Sequence, residues 1–454
     1  MDTNKNNNKD IFESRPVPEA IRIMTLPAIF SMLIILVYNM ADTFYLGRTN
    51  NPYMVAAVSL ILPVFNLTLS LAGLTGIGGG ALISRLLGNG REDEARKASS
   101  FSFYLSVAVS AVFSVCILLF MHPLLNLLGA SGNTYLYARQ YAFCVLVLGG
   151  IPTVVSNVLS NLLRSIGESG KAGFGITMGG LLNIGLDPLF MFVLLPEGME
   201  VIGVGIATLL SNCCACAYFF VQILRLRGRS VLSFDPRAGL PEPESIRSIF
   251  NVGIPSAVAT LLFDIDYVVL DRLMAGYGDI ALAGIGIVLK VERFPLNVGI
   301  GICQGVMPLA GYNFASGNRK RMLHIIRYAL IMGVIIGIIS VIMYELCAGP
   351  ILRFFIEDAQ TVELGAAFLR IRCLATPLMF MCFYTVYLFQ AFGEGNISLF
   401  LGVVRWAVFN IPMLFILNAL IGMYGLVWSQ FTADVLSVLM TAIVYFRYKR
   451  INLQ

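Results

Sequence analysis

Apolar residues run in blocks of about twenty along nearly the whole chain, separated by short polar segments. A bilayer core of about 30 Å takes about 20 helical residues to cross. On that template helices fall at 20–46, 54–83, 99–121, 136–162, 171–194 and 202–224. A polar stretch at 225–247 follows, then six more helices at 249–275, 281–307, 323–347, 364–391, 396–418 and 423–446. The pattern predicts an all-α polytopic membrane protein with twelve transmembrane helices, flanked by tails at 1–19 and 448–454.

Composition closes the alternatives. Of 454 residues, 57% are hydrophobic and 13% charged, about half the charge of a soluble domain. The net charge of +5 sits in short loops, where it orients helices, and is not a nucleic-acid signal. Twenty-one lysines and arginines fall in segments on the N-terminal side, among them Lys5, Arg91, Arg164, Arg229, Lys320 and Lys449; the opposite loops hold only Arg48 and Arg353. That bias predicts a multi-pass protein of the cell membrane with both termini cytoplasmic. The polar first twenty residues predict no cleaved signal peptide. The nine cysteines lie in apolar runs without a CxxC pair and read as small buried hydrophobes. Two histidines near helix ends, no phosphate-binding glycine loop, no zinc spacing and no GxSxG argue against an enzyme and against a cofactor.

The chain repeats. Leu26-Pro27 returns as Ile254-Pro255 at an offset of 228, Asp42 to Gly47 as Asp271 to Gly276 at 229, Gly88 to Arg91 as Ala315 to Asn318 at 227, and Gly167-Glu168 as Gly393-Glu394 at 226. Six helices per repeat is an even number, so the two halves are parallel and related by an axis along the membrane normal. This predicts a first lobe at 20–224, a cytoplasmic linker at 225–247 and a second lobe at 248–447, around a central cavity. Two such lobes suit alternating access, and one chain holding both is expected to work as a monomer.

Ionisable groups at bilayer depth cost roughly 2.5–3.5 kcal/mol each and are read as functional first. In the first half, Asp42 lies near the outer end of helix one, and Asp187 is 16 residues into helix five. Asn183 and Asp187 share a helical face. Asn157, Asn161 and Thr208 are placed to complete a polar pocket, which could share a proton or hold Na⁺ at Asp42, Asn183 and Asp187. The plainer reading has Asp42 capping a helix end and Asp187 as a structural acid. The second half carries Asp264, Asp266 and Asp271 on helix seven and Lys290, Glu292 and Arg293 on helix eight, with Arg405 and Asp434 beyond. Counting about 1.5 Å per residue places Asp264 and Asp266 at a depth where either could pair with Lys290. This set reads equally as a neutralised structural network or as a cavity wall that helps bind substrate or couple ions. Methionines such as Met32, Met178 and Met379 could soften a cavity wall or simply pack.

Several stretches are similar to the multidrug and toxic compound extrusion (MATE) family: MADTFYLG at 40–47, LTGIGGGALISRLLGNGREDEARK at 74–97, LRSIGESGK at 163–171, GGLLNIGLDPLFMF at 179–192, IVLKVERFPLNVGIGICQGVMPLAGYNFASGNRKR at 287–321 and QAFGEG at 390–395. Within it the chain resembles the DinF-like bacterial branch, in which an acid on helix one and Asn-x-x-x-Asp on helix five form the cation site; Asp42, Asn183 and Asp187 match those positions. Another branch relies on acids of helices seven and ten, but helix ten here carries Arg370 and Arg372 and no internal acid. The resemblance implies export of amphipathic cationic drugs or dyes in exchange for H⁺ or Na⁺. A lipid or lipid-linked oligosaccharide flippase of the same superfamily is the rival, kept open by Lys290, Arg293 and Arg405.

Overall fold

The structure, a computed structural model, describes residues 9–49 and 51–452; Lys5 and the outermost parts of both tails lie outside them. Among the described residues there are helices and no strand. Nine single helices among the described residues are long and apolar enough to cross a membrane: α1 Val17–Gly47, α2 Pro52–Gly88, α3 Glu92–Leu119, α5 Ser169–Leu194, α6 Glu200–Arg225, α7 Pro243–Ala275, α9 Arg319–Phe355, α11 Gly395–Ile421 and α12 Met423–Ile451. Two bent pairs supply α4 (Tyr135–Leu148 with Gly150–Ser165) and α10 (Ala359–Cys373 with Thr376–Phe392). The remaining long helix, α8 (Asp279–Ala315, 37 residues), completes twelve. Each begins and ends within several residues of its predicted place; most of the extra length extends the helices past the bilayer.

The duplication is physical. α4 bends by 46° and α10, its counterpart, by 47°. Pro152 and Pro377 sit just inside the second segment of each, where a missing backbone donor does least harm. α5 and α11 are likewise counterparts; α5 ends in a π turn at Phe190–Leu194, and α11 is interrupted by one at Val404–Asn410.

An even number of spans puts both termini on one face, here called the terminal face. On that side a single hydrophobic core joins the halves: Ile21 and Met24 of α1, Ile77 and Ala81 of α2, Val252 of α7, Ile302 and Val306 of α8, and Phe389 of α10. Toward the far face the cores separate, one around Leu46, Ile61, Leu125 and Val204, the other around Leu270, Ile285, Phe368 and Leu426. The seam is tight because glycines let backbones touch. A Cβ on Gly253 would strike the Leu74 carbonyl, one on Gly78 the Ile249 carbonyl, and one on Gly305 would come within 2.6 Å of the Met24 carbonyl. The halves therefore meet at the terminal face and share no hydrophobic core toward the far face.

Before α1, Ile11 and Phe12 are buried and strap the terminal face. Phe12 stacks on Tyr312 with centroids 4.7 Å apart, Asn313 and Arg321 donate to its carbonyl at 3.1 and 2.7 Å, and Tyr312 donates to Glu13 at 2.6 Å. The segment after α6 lies on α3: Tyr104 donates to the Phe234 carbonyl at 2.7 Å, and Phe234 stacks on Phe220.

Candidate functional site

Beyond Thr177, α5 is apolar apart from Asn183 and Asp187, one turn apart, so packing that face inward buries both. Asp187 is fully buried and Asn183 nearly so. The Asn183 amide donates to Asp187 Oδ1 and to Thr208 Oγ1 on α6, each at 3.4 Å. Asp42 on α1 faces the Asp187 carboxyl. Three oxygens in this group, Asp42 Oδ1, Asp187 Oδ2 and Asn183 Oδ1, are buried and receive no hydrogen bond from the protein. Leaving acceptors and charge in this condition costs several kcal/mol unless a cation or a proton answers them. Oxygens from carboxylate, amide and hydroxyl groups are the donor set that Na⁺ or a shared proton takes, so the residues fit either.

Asn157 and Asn161 stand apart. Each donates to the carbonyl one turn back, Thr153 at 2.9 Å and Asn157 at 3.0 Å, and Asn161 packs on Gly76 of α2. No hydrogen bond links them to the acids among the described residues. Tyr38 and Tyr141, which sequence reading passed over, do lie beside the acids. Tyrosine in an apolar helix gives no signal until the packing shows which way it points.

In the second half the charges divide into two sets. Inside the helix bundle, Arg372 of α10 pairs with Glu292 of α8 at 2.8 Å, both buried. Arg405 of α11 pairs with Asp434 of α12 at 2.9 Å and lies over the Phe383 and Trp406 rings. Gln430 carries the chain onward: it donates to Asp434 at 2.8 Å and accepts from Asn410, which donates to Asp266 at 2.8 Å. Asp264 faces the other half, accepting from Asn66 of α2 at 3.1 Å; Arg293 lies over the Tyr267 ring at 5.5 Å, and Asp271 is exposed further along α7.

The pairing of Lys290 with Asp264 or Asp266 does not form. Depth alone allowed it, but residues two apart on a helix point about 200° from each other. Once Glu292 turns inward to Arg372, Lys290 faces outward, and it is exposed. Asn66, Asn410 and Gln430 were missed because an uncharged amide in an apolar run looks unremarkable until its partner is seen.

Twelve spans in two like halves, each burying carboxylates at membrane depth, define a polytopic membrane protein of transporter type, not an enzyme. The MatE family model matches residues 27–189 and again 255–416, an offset of 228 that reproduces the internal repeat, and the chain belongs to that family. It is 30% identical over 436 residues to the multidrug export protein MepA of Staphylococcus aureus strain MSSA476, covering 96% of this chain and 95% of the relative. The MepA of Staphylococcus haemolyticus strain JCSC1435 is 30% identical over 435 residues, covering 96% and 94%. Among solved structures, a MATE transporter in complex with MaL6 superposes with TM-score 0.90 at 23% identity, covering 97% and 99%. A Pyrococcus furiosus transporter of the MOP superfamily, whose reversed pocket polarity suggested a different function, gives 0.87 at 24%, covering 96% and 97%. At these identities the structures establish the fold.

Proposed function

We propose that this protein is a multidrug exporter of the cell membrane that moves amphipathic organic cations outward in exchange for H⁺ or Na⁺. The observation that carries the proposal is the group of three buried, undonated oxygens on Asp42, Asn183 and Asp187. A cation or proton entering there neutralises the first lobe; a ligand that favours one arrangement of the lobes over the other shifts the equilibrium, whereas equal affinity for both shifts nothing. Thr208 steadies Asn183, and the cavity between lobes 20–224 and 248–447 takes the drug. Asp264, Asp271 and Arg293 form part of its wall, while Glu292, Arg372, Arg405, Asp434 and Asp266 hold the second lobe together. The excess of Lys and Arg at the terminal face makes that face cytoplasmic, so the arrangement described is outward-facing. The linker 225–247 is cytoplasmic, and one chain suffices for the cycle. The export named for the MepA relatives supports the substrate class.

The test is transport of an ethidium-type dye into proteoliposomes under an imposed H⁺ or Na⁺ gradient. The expectation is uptake driven by one gradient and lost in Asp187→Asn. Normal exchange by Asp187→Asn would move the coupling site to the acids of the second lobe; no uptake by the wild type under either gradient would sink the exporter reading and turn attention to lipid flipping.

A further inference from the structure

Arg164 ends α4 at the terminal face, and its side chain is 3% exposed. A buried guanidinium ordinarily has a carboxylate, as Arg372 and Arg405 do here. Arg164 has none. It makes no ion pair among the described residues, its Nε has no hydrogen-bond partner, and its Nη2 donates only to Ser31 Oγ on α1, at 3.3 Å. The groups around it are neutral. Tyr387 of α10 faces it from the other half and bonds in turn with Gln304 of α8, whose Oε1 is also buried without a donor. Ser31 lies beside the tightest part of the seam, where Ile29 packs on Gly301 and Met24 on Gly305. The joint core of the two halves thus closes over an uncompensated positive charge.

A seam built only for strength would not contain one. Burying a charged donor unpaired shifts an equilibrium by tenfold or more against the state that buries it. When the halves part at this face, water reaches the guanidinium and the cost disappears. We propose that Arg164 is a positioning residue of the transport cycle, whose unpaired guanidinium raises the energy of the outward-facing arrangement and so keeps the opposite arrangement within thermal reach. The inference rests on the alternating-access reading above and adds to it the residue that balances the two states. Packing, glycine contacts and the Phe12 strap pull the terminal face shut; Arg164 opposes them.

The experiment measures the balance directly. Spin labels carried on keto amino acids at Arg96 and Lys320, both exposed at the terminal face on opposite halves, report the distance between the halves in the full-length protein in lipid nanodiscs. The wild type is expected to show a short and a long population. Arg164→Leu should raise the ratio of short to long at least tenfold. Ser31→Asp, which places a carboxylate against the guanidinium, should raise it likewise when Arg164 is present and lower it in an Arg164→Leu background, where the new carboxylate is itself buried unpaired. If Arg164 merely braced the seam, Arg164→Leu would lower the ratio, and that result, like an unchanged ratio, overturns the proposal. Should Ser31→Asp act equally with and without Arg164, the charge is not the cause and the proposal also fails. A single short distance in the wild type under every ion gradient would overturn the alternating-access reading and this one with it.

Discussion

The two buried arginines of the second half each have one carboxylate partner, and removing either side leaves the other stranded. Glu292 and Arg372 are bonded at 2.8 Å and at 3.4 Å, both inside the bundle. Glu292→Gln or Arg372→Met should each cost about 3–5 kcal/mol of stability, and the Glu292→Leu/Arg372→Leu double variant should cost clearly less than the sum, because no lone charge remains. Thermal unfolding in detergent checks this; additive losses would mean the pair is not the source. The sequence exposed most of the charged members, since acids and arginines stand out in apolar helices. It could not show that Arg372, rather than Lys290, answers an acid of helices seven and eight, since the direction a side chain takes follows from helix rotation. Nor could it show that Asn157 and Asn161 bond to their own helix.

Helices carry a different kind of information. Their number, order and approximate ends were legible because hydrophobic length is set by the bilayer and not by neighbours. The bends were not: prolines at 152 and 377 marked them, but prolines at 27, 63 and 255 lie inside helices that continue. Glycine roles also needed the packed structure. At Gly253 a side chain meets the Leu74 backbone across the seam, whereas at Gly286 nothing lies within 4 Å. Gly253→Val should therefore prevent closure at the terminal face and abolish outward release of dye, while Gly286→Ala should transport as the wild type. Equal activity of the two variants would remove the close approach of α2 and α7 from the account.

For the whole molecule, the state is decided by which ends of the halves share a core. The strap before α1 adds to the shared end, with Phe12 2% exposed against Tyr312. Phe12→Ala should weaken the closed terminal face by about 3–5 kcal/mol, seen as a gain of the long-distance population in the spin-label measurement, the opposite sign to Arg164→Leu. An unchanged distribution would make the strap a passive tail. The sequence by itself determined the twelve spans, the duplication, the face that holds the positive charge and the acids at membrane depth, because hydropathy, period and charge are local properties. Only the tertiary structure decided that Asp42 faces Asp187 beside Asn183, that Glu292 and Asp434 of the second half are answered by arginines, and that the halves close over Arg164. Those facts depend on how helices rotate and which ones touch, and packing between distant segments fixes both.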